Sequence, residues 1–416
     1  MFFIYKIITT ILFIIILPFW LVLGLFKPKL VAGFNQKLGL YQAESLNGKK
    51  NIVFYGVSVG EVIAMENLIK KARQTVPEIN ITLLTGTKTG QEIAQKKLSD
   101  VCNFISYFPL DFPFCINNFV KKINPSAVFV METELWPNFA NIMNKKKIPL
   151  YIINGRISDR TYKSYKKLSF FFKPVLRKYT SIFTQSKQDN EKLISIGAEP
   201  KTTEIMGNLK FDIKKPDTEG LGFAYNPEYK TVIAGSTHRG EDEIVLNVFS
   251  ELKKEIPNLK LFIAPRHPER NNDVFELVKK TGFAAGKRSE NSFFDQAEII
   301  LVDTMGELGK LYSVCDVAFI GGSFNQTGGH NPLEAAIFNK PVVSGPSVDN
   351  FKDIYAILTS SAAGNIVKTQ DELKDQLKKL LTNKKYYDNA SADCQTVFER
   401  NNGALGFVIN VLQTIV

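Results

Sequence analysis

Short apolar runs alternate with helix-period segments along most of this chain. Runs at 52–57, 81–84, 127–131, 150–153, 182–184 and 204–206 predict strands. Segments at 62–73, 114–123, 137–145 and 162–178 carry the apolar spacing of helices between them. Residues 212–230 hold two prolines, two glycines and no period, which marks a linker. The alternation then resumes, with strands expected at 231–234, 259–264, 299–302, 317–320 and 341–344 and helices between them. An amphipathic helix is expected at 370–381 and another within 386–415. Strand–helix–strand order, twice over, predicts two doubly wound α/β domains facing each other across a cleft, with ligands at the carboxyl ends of the strands. The expected boundaries are 29–212 and 231–416, joined by a linker at 213–230 and preceded by a separate segment, 1–28.

That leading segment reads differently. Residues 7–26 contain no charge, and as a helix they extend roughly 30 Å, the thickness of a bilayer's hydrocarbon layer. A cleaved signal peptide has a shorter apolar core and a small-residue cleavage site, whereas here Phe26 is followed by Lys27, Pro28 and Lys29. One lysine, Lys6, precedes the segment, while Lys27, Lys29 and Lys37 follow it, which places the bulk of the protein in the cytoplasm. The net charge of +11 is divided unevenly, +14 over residues 1–212 against −3 over 213–416. A basic first half beside a membrane segment points to an anionic surface or an anionic lipid substrate. The four cysteines are scattered and form no C-x-x-C pair, which excludes a disulfide scaffold and a cysteine zinc site.

Candidate chemistry collects at predicted strand ends. Residues 317–336 read as an apolar strand, a turn with Gly321, Gly322, Gly328 and Gly329, and a helix start with Asn331 as N-cap, Pro332 at its first position and Glu334 three residues on. A helix start opened by glycines offers N–H groups and positive dipole to a phosphate; an ordinary capped helix is the plainer reading. The three histidines, His238, His267 and His330, each follow a predicted strand of the second half, which gathers them at one cleft. Arg266 lies after a strand where a nucleotide phosphate can rest, though a surface pair with Arg270 fits equally well. The backbone of 305–307 suits a base or sugar. The acidic run 241–243 is most simply a favourable first helical turn. No metal-ligand spacing and no D-x-D motif occurs, so no metal is expected.

In the first half, Ser58 and Glu61 follow a strand at the start of a helix, where Glu61 suits either a general base toward a hydroxyl or a helix-dipole partner. Glu132 and Glu134, with Trp136, follow the next deep strand, and Arg156 follows another. Lys210 sits at the edge of the linker, where an ammonium can neutralise a departing phosphate or be merely solvated. The 162–178 helix interleaves aromatics with lysines, a pattern that suits a membrane interface better than RNA.

Six motifs occur in order: S-V-G-E (58–61), M-E-T-E-L-W-P-N (131–138), G-N-L-K-F-D (207–212), A-G-S-T-H-R-G-E (234–241), A-P-R-H-P-E-R (264–270) and G-G-H-N-P-L-E-A-A (328–336). With the apolar N-terminal segment they resemble the 3-deoxy-D-manno-octulosonic acid (Kdo) transferases of Gram-negative bacteria over essentially the whole chain. The resemblance implies a GT-B glycosyltransferase of two Rossmann-like domains, single-pass anchored at the inner membrane with its catalytic domains in the cytoplasm. It implies CMP-Kdo as donor to the second domain, lipid IVA as acceptor on the first, inversion at the transferred carbon, and no cofactor or active-site metal. It gives Glu61 the role of general base and Glu132 and Lys210 that of stabilising the transition state. CMP contacts fall on Pro265, Arg266, Met305, Gly306, Glu307, Asn331, Pro332, Leu333 and Glu334, with Ser58, Arg156 and His330 as further substrate contacts. The chain departs from the family pattern before S-V-G-E, where Phe54-Tyr-Gly-Val stands in place of a His-Ala pair, and in the loop at 323–327. No nucleic acid and no obligate protein partner is expected. The rival readings are a GT-B transferase using a UDP-sugar and a membrane-tethered binding protein without catalysis.

Overall fold

The computed structural model describes residues 2–26, 33–42, 46, 48–222, 224–293 and 296–416, without the side chains of 17, 19–26 and 291–293. It divides into two units, the residues up to Ile213 with Asn401–Val416, and Lys214–Arg400.

The first unit is built on β1 (Asn51–Gly56), β2 (Asn80–Thr85), β3 (Phe104–Tyr107), β4 (Pro125–Met131), β5 (Leu150–Gly155), β6 (Ser181–Thr184) and β7 (Thr203–Ile205). They pair in parallel in the order β3-β2-β1-β4-β5-β6-β7. Every residue of β1, β2 and β5 is buried, as a sheet covered by helices on both faces requires. Helices start where a hydroxyl caps them: Ser58, Thr87, Ser158 and Ser186 each accept from a first-turn N–H. The second unit holds β8 (Lys230–Thr237), β9 (Leu259–Pro265), β10 (Ala285–Lys287), β11 (Ile299–Leu301), β12 (Val317–Ile320), β13 (Val342–Ser344) and β14 (Gly364–Ile366). Their order is β10-β11-β9-β8-β12-β13-β14, again parallel. In each sheet the order reverses beside its first strand, between β1 and β4 and between β8 and β12, and such a switch point opens a crevice at the strand ends.

The last helix, Ala404–Ile415, does not belong to the second unit as expected. Asp212 accepts the N–H groups of Gly403 and Leu405, each at 2.7 Å, capping that helix from the first unit. Ala404, Val408, Ile409 and Leu412 then join the core formed by Val62, Met65, Leu68 and Ile69. The expected 162–178 helix is two, Asp159–Lys167 and Ser169–Leu176, divided at Leu168. Pro174 lies inside the second, six residues past that division.

The N-terminal helix runs Phe2–Phe26 with Pro18 inside it. Its Tyr5 hydroxyl donates to Asp111 at 3.2 Å, and Phe13 packs on Phe112 with centroids 4.3 Å apart. Asp111 also accepts from the N–H groups of Asn138 and Phe139, so it caps the Pro137–Lys145 helix, and burial pushes its carboxyl up to about 7. Among the described residues no helix is long and apolar enough to cross a membrane; the unbroken run of described side chains in the N-terminal helix ends at residue 16, so the expected span over 7–26 is not carried by them. Lys27 and Lys29, which set its expected orientation, lie outside the described residues.

Candidate active site

The first unit presents an acidic edge at its switch point. β1 ends at Gly56, where an added Cβ would meet the Met65 methyl at 2.5 Å and the Glu61 Cβ at 3.2 Å, so glycine leaves room for the helix to approach closely. Ser58 Oγ accepts the Glu61 N–H, and the Glu61 carboxylate reaches back. One of its oxygens accepts the Val57 N–H at 2.8 Å and the other the Ser58 hydroxyl at 2.9 Å. This reciprocal cap fixes the carboxylate in place and leaves about half of its acceptor sites unused. Burial raises its proton affinity, and the Glu132 carboxylate adds to the effect.

Glu132 follows β4 with φ of 55°, a left-handed conformation, and donates its N–H to Ile153 O at 2.9 Å. That turn sends its carboxylate to within 4.0 Å of the Lys210 ammonium. Glu134, given no catalytic role by the motifs, shares the field: burial and then the Glu61 and Glu132 carboxylates push its carboxyl up to about 7. Arg156 is joined to this loop by its backbone, whose N–H donates to Thr133 Oγ1 and whose carbonyl accepts the Thr133 hydroxyl. The structure thus gathers Ser58, Glu61, Glu132, Arg156 and Lys210 at neighbouring strand ends. Burial and neighbouring carboxylates raise the proton affinity of Glu61 and Glu134, the property needed of a base toward a hydroxyl.

In the second unit the three histidines do converge. His238 follows β8 and His330 follows the glycine loop after β12, and their Nε2 atoms lie 2.9 Å apart with rings tilted by only 13°. His267 stands edge-on to His238 with centroids 5.4 Å apart. One imidazole must donate and the other accept, so the two rings cannot both be protonated. Burial and the nearby Arg266 guanidinium bring His330 down to about 4, and burial lowers His238 as well.

Two expectations change here. Glu241 is more than a helix-dipole partner. It is 1% exposed and accepts four N–H groups, those of His238 (2.9 Å), Gly322 (2.7 Å), Ser323 (2.8 Å) and Phe324 (2.8 Å). Second, the glycine loop does not offer its N–H groups freely to a phosphate. Besides those held by Glu241, the N–H of Gly328 goes to Ser347 Oγ, that of Gly329 to Gly322 O and that of His330 to Gly321 O. A buried loop must satisfy its own donors. The helix beyond it spans only Leu333–Ala336; Asn331 Oδ1 accepts the Leu333 N–H, and Glu334 lies within 3.5 Å of the Asn331 amide. Gly321 is obligatory for a different reason: a Cβ there would lie 2.5 Å from Ser236 O.

Arg266 is exposed beside this cluster, and among the described residues no ion pair engages its guanidinium. Arg270 is structural, held by the buried Asp242 and by Thr237 O. Met305 is 78% exposed, Gly306 takes φ of 80°, and Glu307 pairs with Arg288. The 305–307 turn therefore presents its backbone at the edge of the same unit, near the end of β11. Among the described residues, Arg266 thus offers an anion a side-chain positive charge at this edge that no ion pair takes up.

Two parallel-sheet α/β units of this topology place the chain among two-domain proteins of GT-B-like fold. MurG from Acinetobacter baumannii shares the fold over 88% of this chain and 99% of its own, with a TM-score of 0.56 and 13% identity. A family described as 3-deoxy-D-manno-octulosonic-acid transferase (kdotransferase) matches residues 32–213. A 3-deoxy-D-manno-octulosonic acid transferase of Haemophilus influenzae is 34% identical over 96% of this chain and 95% of its own length. The Aquifex aeolicus protein of that description is 34% identical over 83% of this chain and 90% of its own. The chain belongs to the 3-deoxy-D-manno-octulosonic acid transferase family and is a glycosyltransferase.

Proposed function

We propose that this protein transfers Kdo from CMP-Kdo to lipid IVA, with inversion, at the cytoplasmic face of the bacterial inner membrane. Glu61 takes the proton of the acceptor hydroxyl. The acceptor oxygen bonds to the anomeric carbon of Kdo as the bond from that carbon to the phosphate oxygen breaks, and CMP leaves with the bonding pair. The leaving group carries a single phosphate, so side chains such as Lys210 and Arg266 suffice to neutralise it. CMP rests on Pro265 and Arg266, on Met305 to Glu307 and on Asn331 to Glu334, with His330 beside it. Ser58 and Arg156 meet the acceptor. No metal or cofactor takes part in this reading.

The observation that carries the reading is the Glu61 carboxylate, held by the Val57 N–H and the Ser58 hydroxyl with its proton affinity raised by burial and by Glu132. The membrane part rests on the N-terminal helix, whose Ile4, Ile8 and Ile15 are each more than half exposed, and on the exposed Leu168 and Phe170 beside the lysines of the 159–176 helices. That helix serves as a single-pass anchor.

Glu61→Gln, incubated with CMP-Kdo and lipid IVA and read by mass spectrometry of the lipid, is expected to give no product while CMP still raises its melting temperature. Turnover near that of the unaltered protein would remove Glu61 as the base. Stabilisation by UDP instead of CMP would favour a UDP-sugar donor.

A further inference from the structure

We propose that Asn154 is a positioning residue that holds Glu132 and Lys210 in register at the ends of four neighbouring strands, β4 to β7. The inference rests on the reading that this pair acts in transfer. Asn154 follows Ile153 in β5, is 0% exposed and has φ of 54°, matching the φ of 55° at Glu132, the residue just past β4 beside it. Asparagine tolerates this left-handed conformation better than most residues, yet two adjacent strand ends adopting it is uncommon.

The consequence is a shared anchor. Ile153 O accepts the Glu132 N–H, while Asn154 Oδ1 accepts the Leu209 N–H at 2.9 Å, at the start of the Leu209–Phe211 turn that carries Lys210. Two further amides complete the scaffold. Gln185, just past β6, donates to Asn154 O at 3.1 Å, and Asn208, past β7, donates to Gln185 Oε1 at 3.1 Å. Asn208 Oδ1 then accepts the Lys210 N–H at 3.0 Å. All three amide side chains are buried. The first two N–H groups of the lysine turn are therefore fixed by side chains from β5 and from Asn208, three residues past β7, with Gln185 bracing the two. Among the described residues the Asn154 Nδ2 has no acceptor, so the bond of its Oδ1 to the Leu209 N–H is the contact through which the amide acts.

A neutral network matters here because the ion pair it positions is already long. At 4.0 Å the ammonium and carboxylate stand at the limit of an ion pair, and a further shift of the turn uncouples them. A charged anchor in the same place would compete with Glu132 for Lys210; an amide orients the turn without doing so.

The test is Asn154→Gly in the full-length protein, since glycine keeps the backbone conformation and removes only the amide. The kcat for Kdo transfer is expected to fall by roughly 10- to 100-fold, the scale of a misplacement of about 1 Å. KM for CMP-Kdo should stay within about two-fold, since the donor contacts are untouched. The acid limb of the kcat–pH profile should move to higher pH, because a carboxylate that loses a nearby ammonium binds its proton more tightly. Gln185→Ala, one link away, should shift kcat and the profile in the same direction, and it serves if the glycine variant does not fold. Lys210→Ala and Glu132→Ala are run alongside. If they abolish transfer while Asn154→Gly and Gln185→Ala keep the original kcat and profile, the positioning role is wrong. If Lys210→Ala and Glu132→Ala retain full activity, the catalytic reading of the pair fails instead.

Discussion

Replacing Glu241 by glutamine tests whether one buried carboxylate shapes the histidine site of the second unit. The carboxylate accepts four N–H groups, two on each oxygen: His238 and Gly322 on one, Ser323 and Phe324 on the other. Hydrogen bonds to a charged acceptor contribute about 1.5–3 kcal/mol each. Glutamine keeps one oxygen and turns an NH2 group toward the other two donors, a raw loss of roughly 3–6 kcal/mol. Relaxation of the loop recovers part, leaving about 2–4 kcal/mol, which is a large share of the stability of any single domain. In a unit of about 190 residues this lowers the melting temperature by roughly 5–15 °C. The same change frees the His238 backbone and the loop that carries His330, so the imidazole pair separates and CMP-induced stabilisation should shrink. Scanning calorimetry with and without CMP reads both effects, and Glu241→Ala, which removes all four acceptor contacts, should go further in the same direction. A glutamine variant that melts within about 1 °C of the parent and responds fully to CMP would refute the reasoning.

Three other outcomes follow from the same geometry. Glu134 is pushed up to about 7, so between its ordinary value and 7 the folded state binds the proton that the unfolded state has released, and stability falls as pH rises through that window; Glu134→Gln should therefore gain in melting temperature over the parent at pH 8 and not at pH 4.5. His330 is brought down to about 4, so the folded state resists a proton that the unfolded state accepts below its ordinary value, and stability falls as pH drops from about 6.5 toward 4; His330→Gln should flatten that acid loss in a pH series of calorimetric scans. Replacing the exposed Ile8, Ile11 and Ile15 by glutamate should move the expressed protein from the membrane pellet to the supernatant, and its retention in the pellet would mean that the N-terminal helix is not what holds it there.

The strands legible in the sequence were those long and apolar enough to show a run, from 52–57 to 341–344. The three that were missed, β3, β10 and β14, lie at sheet edges or beside them and are short. Ala285–Lys287 and Gly364–Ile366 have three residues each and include a glycine, so no run marks them. The return of the last helix to the first unit was equally hidden. It depends on Asp212 capping Gly403 and Leu405 across 191 and 193 positions, and nothing local announces such a bond.

At the site, the sequence showed which residues end the strands but not what they bind. Ser58 and Glu61 form a capping box, and His238 and Glu241 stand at the same three-residue spacing, so both glutamates fit the same plain helix-start reading. The structure separates them by burial. Glu61 is held by two donors and keeps acceptor sites unused, whereas Glu241 is sealed by four donors, three of them from a loop some eighty residues away. A capping carboxylate is thus available for chemistry only where its remaining lone pairs face the crevice, and long-range loop placement decides that, not the spacing. The same logic explains why the glycine loop misled: glycines permit close approach, but here what approaches is Ser236 O and the Glu241 carboxylate rather than a ligand's phosphate. What the loop delivers to the site is therefore the His330 ring, set against His238 beside the Arg266 guanidinium.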